Sequence, residues 1–338
     1  MSLIANTHQL NQLKHRFTKD LSAPILVFED NYWDFAIGLY KEYGDLWNKL
    51  VQGIEEEYDG EVQRFLDEFA EVNNKIIDTI KSSEGYKTFI TGDYKKFEIK
   101  RPEGVGSGDI YKEDRINKWY LTVDLEKANV QSLNFNDPNI FVGKKVDENI
   151  GITEIYNEWI ANSLLRPSQK LLQWYIPKSK YVRQKTFGNC NPGRQTMVET
   201  FMVDKAGRFV AEKLGLQENS MKILSTDEMI FELIGNIKNF EGVEEVRAQV
   251  QRELGICVKI ETFYLRLIKF RTTNEHDVDV YVRDFGGKKP NAYKGIPGFY
   301  YTQIYEILNN IEPDPEGRDL AFYQEKEIAK FVNRLRKI

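Results

Sequence analysis

The chain has 338 residues and a formal net charge of −5, with 41% hydrophobic, 13% aromatic and 29% charged residues. That composition belongs to a folded globular protein of roughly two domains and excludes a fibrous or disordered chain. The acidic balance excludes a uniformly basic nucleic-acid sheath but leaves room for one local basic groove.

The opening stretch, "MSLIANTHQLNQLKHRF", carries charges where a signal peptide needs its apolar segment. No later run approaches the roughly 18 apolar residues of a spanning helix. Cys190 and Cys257 are the only cysteines and have no metal-spaced partners, so neither a disulfide framework nor a zinc site is indicated. A cytoplasmic protein with no membrane segment is expected.

From about Asp30 to Ser83 the pattern is helical. A shorter helix around Trp47 and Leu50 precedes a long one with Val62, Phe65, Leu66, Phe69, Val72, Ile76, Ile77 and Ile80 at helical spacing. Residues 1–100 are therefore expected to form a helical N-terminal region. Its long amphipathic helix also offers a surface for a protein partner.

"RPEGVGSGD" contains Gly104, Gly106 and Gly108 but lacks the strand before and the helix after that a phosphate loop requires, so it reads as a hairpin or linker. The following "IYKEDRINKWYLTV" is extended in pattern and ends at Asp124. Helices are expected near Glu126 to Leu133 and from Ile152 to Leu165. A basic segment, "KSKYVRQKTFGNCNPGRQ", leads into a helix carrying Met197, Phe201, Val210 and Leu214.

"MKILSTDEMIFEL" reads as two short strands around a tight turn, "FEGVEEVRAQVQRELG" as an acidic amphipathic helix, and "ICVKIETFYLRLIKF" as a strand. "DVDVYVRDF" is extended. The "DFGG" at its end has no kinase catalytic-loop signature before it and reads as a turn. Helices are expected through "GFYYTQIYEIL" and "RDLAFYQEKEIAKFVNRLRKI". The order predicts an α+β fold, an antiparallel sheet backed by helices, over residues 101–275. Residues 276–338 would add a strand and helices packed on it.

Two acidic elements stand out. Asp124 ends a strand, where it either caps the following helix from Leu125 or holds a ligand. Asp227 and Glu228 sit at the hairpin tip, either solvated or facing Asp124. Three facing carboxylates repel one another unless protons or cations intervene, and magnesium or manganese suits such an all-oxygen cluster.

Between them, Lys178, Lys180, Arg183, Lys185 and Arg194 interleave with Tyr181 and Phe187. Such cations suit phosphate oxygens and such rings suit stacking on a base, unless the segment is a solvated basic strand.

Taken together, "DLEKANVQSL", "RQKTFGN" and "LSTDEMIFEL" resemble, in order, three elements of the palm of family A DNA polymerases, over roughly Trp119 to Phe270. The resemblance implies a palm-like sheet and a template-dependent nucleotidyltransferase acting on nucleic acid and nucleoside triphosphates. It implies two divalent cations, Mg2+ or Mn2+, held by Asp124 and Asp227 with Glu228 assisting. It further implies that Arg183, Lys185 and Arg194 neutralise the triphosphate, that Phe187 or Tyr181 stacks on the base, and that Asn129 lies near the sugar. Asn129 stands where the family usually has an acid and Thr226 where it has histidine. An alternative expectation is therefore a non-catalytic nucleic-acid-binding or replication-accessory protein with a palm-like sheet.

Overall fold

The computed structural model describes residues 7–234, 242–272 and 276–338. The chain opens with α1 (Thr7–Leu21), α2 (Asp30–Leu39), α3 (Lys41–Tyr58), α4 (Val62–Ser82) and α5 (Glu84–Thr91). The apolar stripe of α4 is consumed inside the protein. Val62, Phe65, Phe69, Val72, Ile76 and Ile80 are all buried in a core that runs continuously from Leu13 to Ile260.

Next come β1 (Lys118–Leu125), α6 (Ala128–Asn136), α7 (Ile152–Trp159), α8 (Lys170–Tyr175), α9 (Lys180–Gly188) and α10 (Pro192–Leu214). The expected helix from Ile152 is present, and its last turn, Ile160–Leu164, widens into a π-turn. The basic segment is helical, not extended: Ser179 caps α9 by accepting from the Val182 amide at 2.9 Å. Asn191 caps α10, and Pro192 occupies the first helical position, where its missing N–H costs nothing.

The hairpin is β2 (Met221–Leu224) and β3 (Glu228–Leu233), followed by α11 (Val243–Leu254), β4 (Val258–Arg271) and β5 (Asp277–Asp284). "DFGG" turns the chain out of β5, with Gly286 and Gly287 both at positive φ. Then come β6 (Ala292–Lys294) and α12 (Tyr301–Leu308).

The final expected helix is instead the hairpin β7 (Ala321–Gln324) and β8 (Glu327–Lys330), with β9 (Arg336–Lys337) paired to β4. Glu325 and Lys326 both adopt positive φ, which gives the two-residue turn the twist that a tight hairpin requires. Phe322 stacks on Phe331 at 4.2 Å, and Phe331 on Tyr300 at 4.8 Å.

The main sheet has the order β2-β3-β1-β4-β5-β6, with antiparallel pairing between neighbouring strands. Its first four strands follow the chain order β-α-β-β-α-β, the split βαβ arrangement in which the hairpin lies on one side of β1 and β4 on the other. Leu121, Val123, Leu125, Met229, Phe231 and Ile260 face the helical layer. Tyr120, Ile230, Phe263 and Leu265 belong to a second apolar cluster on the opposite face. Strand periodicity puts Thr122 and Asp124 on that opposite face with them.

The long helix α10 crosses behind the hairpin. A Cβ at Gly207 would meet the Met229 sulfur at 2.3 Å, so glycine is what permits this close approach to β3. The same helix carries Glu199 toward the end of the sheet. Cys190 and Cys257 are buried free thiols. Among the described residues no helix is long and apolar enough to cross a membrane.

Candidate active site

Register brings the two acidic elements together. In β1, Asp124 pairs with Glu228 of β3 on one side and Lys259 of β4 on the other. The Leu125 amide donates to the Asp227 carbonyl at 2.8 Å, which draws the hairpin turn against the end of β1. Ser225 closes that turn: its amide donates to the Glu228 carbonyl, and its hydroxyl accepts from the Glu228 amide.

Asp124 does not cap a helix. The helix α6 begins at Ala128, after Lys127 in the left-handed region (φ 45°), and the Glu126 amide is already committed to the Cys257 carbonyl at 3.0 Å. Buried Gln131 fixes this junction by donating to the carbonyls of Glu126 and Cys257 and accepting from the Cys257 amide. A bulky residue at positive φ is a strained choice, and here it directs Lys127 to the mouth of a cleft.

That cleft, about 870 Å³, lies at the end of the sheet. Asp124 and Lys127 come to it from the β1–α6 junction, Lys180 and Arg183 from α9, Glu199 from α10, and Asp227 from the hairpin. Asn129 and Lys259 also line it.

Burial, reinforced by the Asp227 and Glu228 carboxylates, pushes Asp124 up to about 7 despite Lys259 and Arg283. Glu199 is pushed up to about 7 by burial and then by Asp227. Asp227 is raised by burial, with Glu228 adding to the shift while its own backbone amide and Lys180 oppose it. On the other side, burial and then the neighbouring Arg183 lower Lys127, and burial lowers Arg183. The cleft thus divides into an acidic wall whose charges repel one another and a cationic wall with the opposite problem.

Among the remaining residues singled out in the sequence, Glu228 turns toward the sheet face. It accepts from Thr122 Oγ1 at 2.8 Å and from Arg283 at 2.6 and 3.2 Å, and this pair supplies its counter-charge. Arg194 donates to the carbonyls of Phe89 and Gly92 at 3.1 and 2.8 Å and stands over Tyr94, binding α10 to the end of α5. Phe187 is a core residue, 1% exposed. Lys185 is exposed outside the cleft lining, and Tyr181 lies beneath Lys19 and Arg16. The structure therefore gathers Asp124, Asp227, Asn129, Lys180 and Arg183, and adds Lys127, Glu199 and Lys259.

Among the described residues no three histidine, cysteine or carboxylate side chains form a ready metal cage. Asp124 and Asp227 line one cleft and bring to it the carboxylate oxygens that magnesium or manganese takes as ligands. Magnesium is commonly held by one or two carboxylates, completing its shell with water and substrate phosphate. Both acids are raised chiefly by burial and then by neighbouring carboxylates, a setting in which a bound cation favours the charged form.

The shifts carry a sign. An aspartate whose folded pKa is raised contributes stability present below its unfolded value, near 4, and lost as pH rises through about 7. Between roughly pH 4 and pH 7 the metal-free wild type is therefore expected to lose stability relative to Asp124→Asn. Thermal midpoints of both proteins across the range check this; a difference between them that does not change with pH contradicts it.

Compared with family models, with curated proteins and with solved structures, the chain matches none.

Proposed function

We propose that the cleft performs metal-dependent nucleotidyl transfer on nucleic acid, with Asp124 and Asp227 as the metal ligands. The observation that carries this reading is the meeting of a strand-end aspartate and a hairpin-tip aspartate opposite Lys180 and Arg183. The strand order β2-β3-β1-β4 supports it, because it sets the segments carrying Asp124 and Asp227 side by side, and the third segment that resembles a polymerase palm, on α9, lines the same cleft. Fold likeness alone carries no activity, so the weight rests on the side chains.

Asp124 and Asp227 would hold magnesium or manganese, whose chemistry there would be to lower the pKa of an attacking hydroxyl and to stabilise the oxygens of the leaving group. The chain's own residues do the rest. Lys180 and Arg183 face the acids from α9 and supply the positive charge that a triphosphate needs as negative charge builds on it. Arg183 is held for this by donating to the Pro177 and Ser179 carbonyls at 2.9 and 3.4 Å. Asn129, on the first turn of α6, lies at the same opening for contact with the sugar.

A second reading, a nucleic-acid-binding protein without catalysis, draws on Lys259 directly beside Asp124, where an ammonium can stand in for a metal. Incorporation of a labelled nucleotide on a primed template, measured with Mg2+ or Mn2+ and with chelator, separates the two. Incorporation that needs the metal and both aspartates supports transfer; its absence under every template and metal condition favours the second.

A further inference from the structure

Several basic and aromatic residues near α9 lie outside the acidic cleft, and their arrangement has its own logic. The Trp174 ring, half-buried at the end of α8, has two ammonium groups over it: Lys49 of α3 at 4.7 Å and Lys178 at 5.2 Å. A few residues on, the Tyr181 ring has Lys19 of α1 over it at 4.3 Å. Lys19, Lys49 and Lys178 are exposed, and among the described residues no carboxylate lies within ion-pair distance of any of them.

Along the chain, the N-terminus of α9 lies between Trp174 and Tyr181, capped by Ser179 and carrying no acid in its first turn. Helix N-termini carry partial positive charge and favour anions, yet Lys178 and Lys180 flank this one. Cations at the positive end of a helix are unfavourable unless an anion joins them. Lys178 is also lowered by burial and then by Lys49.

The neighbouring groove between α3 and α8, about 500 Å³, also holds Asp45, Glu56 and Glu57. Glu57 is engaged by the Leu171 amide at 2.8 Å and Glu56 by the Gln52 side chain at 2.7 Å. Among the described residues neither these two nor Asp45 forms an ion pair with Lys49 or Lys178, so the cations on Trp174 are open to an incoming anion.

We propose that this edge of the helical region, from Trp174 with Lys49 and Lys178 to Tyr181 with Lys19, is a binding track for single-stranded nucleic acid, distinct from the acidic cleft. It deepens the proposed function and rests on the reading that the protein acts on nucleic acid. The occupant follows from the chemistry. Alternating cations and flat rings match alternating phosphates and bases, and a base stacks on any accessible aromatic face without regard to sequence. Ammonium–ring contacts at exposed sites are weak, so an arriving base displaces the lysine from the ring onto an adjacent phosphate. A duplex, with its bases stacked inside, has no use for the rings. Lys180, beside this track and also in the cleft lining, joins the two.

The test uses the full-length chain, chelator and a fluorescein-labelled oligothymidine, with its duplex form and a polyglutamate of equal charge as comparisons, across a salt series. Wild type is expected to prefer the single strand to both. Lys49→Glu with Lys178→Glu should weaken binding by about tenfold and reduce the slope of log affinity against log salt by roughly 1.4, about 0.7 for each lost phosphate contact. Trp174→Leu should weaken binding with the slope unchanged, whereas Asp124→Asn and Asp227→Asn should not weaken it.

Unchanged strand affinity in the doubly charge-reversed variant overturns the track, even where metal-dependent incorporation persists. Equal affinity for polyglutamate overturns it as well, leaving an unspecific anionic contact. Strand binding with the expected losses, in a protein that incorporates no nucleotide, upholds the track and removes the transferase reading.

Discussion

Asp227→Asn is expected to lower metal-dependent nucleotide incorporation by about a thousandfold or more while leaving the protein folded and slightly more stable. On the proposed function, the loss of activity follows from removing one of the two proposed metal ligands, Asp124 and Asp227. A factor of about 10³ corresponds to roughly 4 kcal/mol of transition-state stabilisation, within the several kcal/mol attributable to a positioned metal. The gain in stability has a separate origin. Asp227 raises the pKa of both Asp124 and Glu199, so its removal relieves a repulsion that the metal-free fold bears. Among the described residues its side chain has no hydrogen bond or ion pair to another element; the turn is closed by Ser225 and by the Asp227 backbone carbonyl, both kept in the variant. Activity falling while the thermal midpoint holds or rises is the mark of a functional group maintained at a cost to stability. Steady-state incorporation and thermal melts on the same preparations measure both effects. A variant that loses activity only because it unfolds contradicts the assignment.

The second large effect is expected far from the acids. Asp20, fully buried at the end of α1, accepts two bonds from Arg16 at 2.7 Å, one from Tyr175 at 3.0 Å and one from Ser179 at 2.9 Å. Ser179 is the cap of α9, so a single carboxylate ties the N-terminal helices to the helix that carries Lys180 and Arg183. Asp20→Ala strands the Arg16 charge and two buried hydroxyls. Breaking a buried ion pair from one side costs about 3–5 kcal/mol. Because the cost falls where α9 begins, the surviving protein should also bind triphosphate more weakly, with KM rising more than kcat falls. Urea denaturation and steady-state kinetics test the two halves. Asp20→Asn, which keeps an acceptor for Ser179, should restore much of the KM. Equal KM in wild type and Asp20→Ala would reduce Asp20 to a purely structural role.

The acids were legible in the sequence because both sit where patterns change: Asp124 at the end of an apolar run, Asp227 between two short ones. Their meeting was not, since it depends on β1 lying beside β3, a choice that no local pattern encodes. Glu199 was hidden within a long helix whose buried face carries Val198, Met202 and Val203. The visible sign was a polar pair, Gln195 and Glu199, four residues apart on that apolar face.

The cationic residues turn on period. Read as extended chain, Arg183 and Lys185 share a side; in the helix α9 it is Lys180 and Arg183, three apart, that face one way. Phe187 falls into the core by the same phase. At the far end, the Glu325–Lys326 turn has no glycine or asparagine to announce it, so a hairpin presented as a helix.

The most direct measurement is a calorimetric titration of manganese into wild type and Asp124→Asn, each with and without a nucleoside triphosphate. Saturable binding that tightens with triphosphate and is lost in Asp124→Asn is the predicted result. Equal binding by the two proteins, or none by either, would contradict a metal site at Asp124 and leave the Lys259 ammonium as its counter-charge.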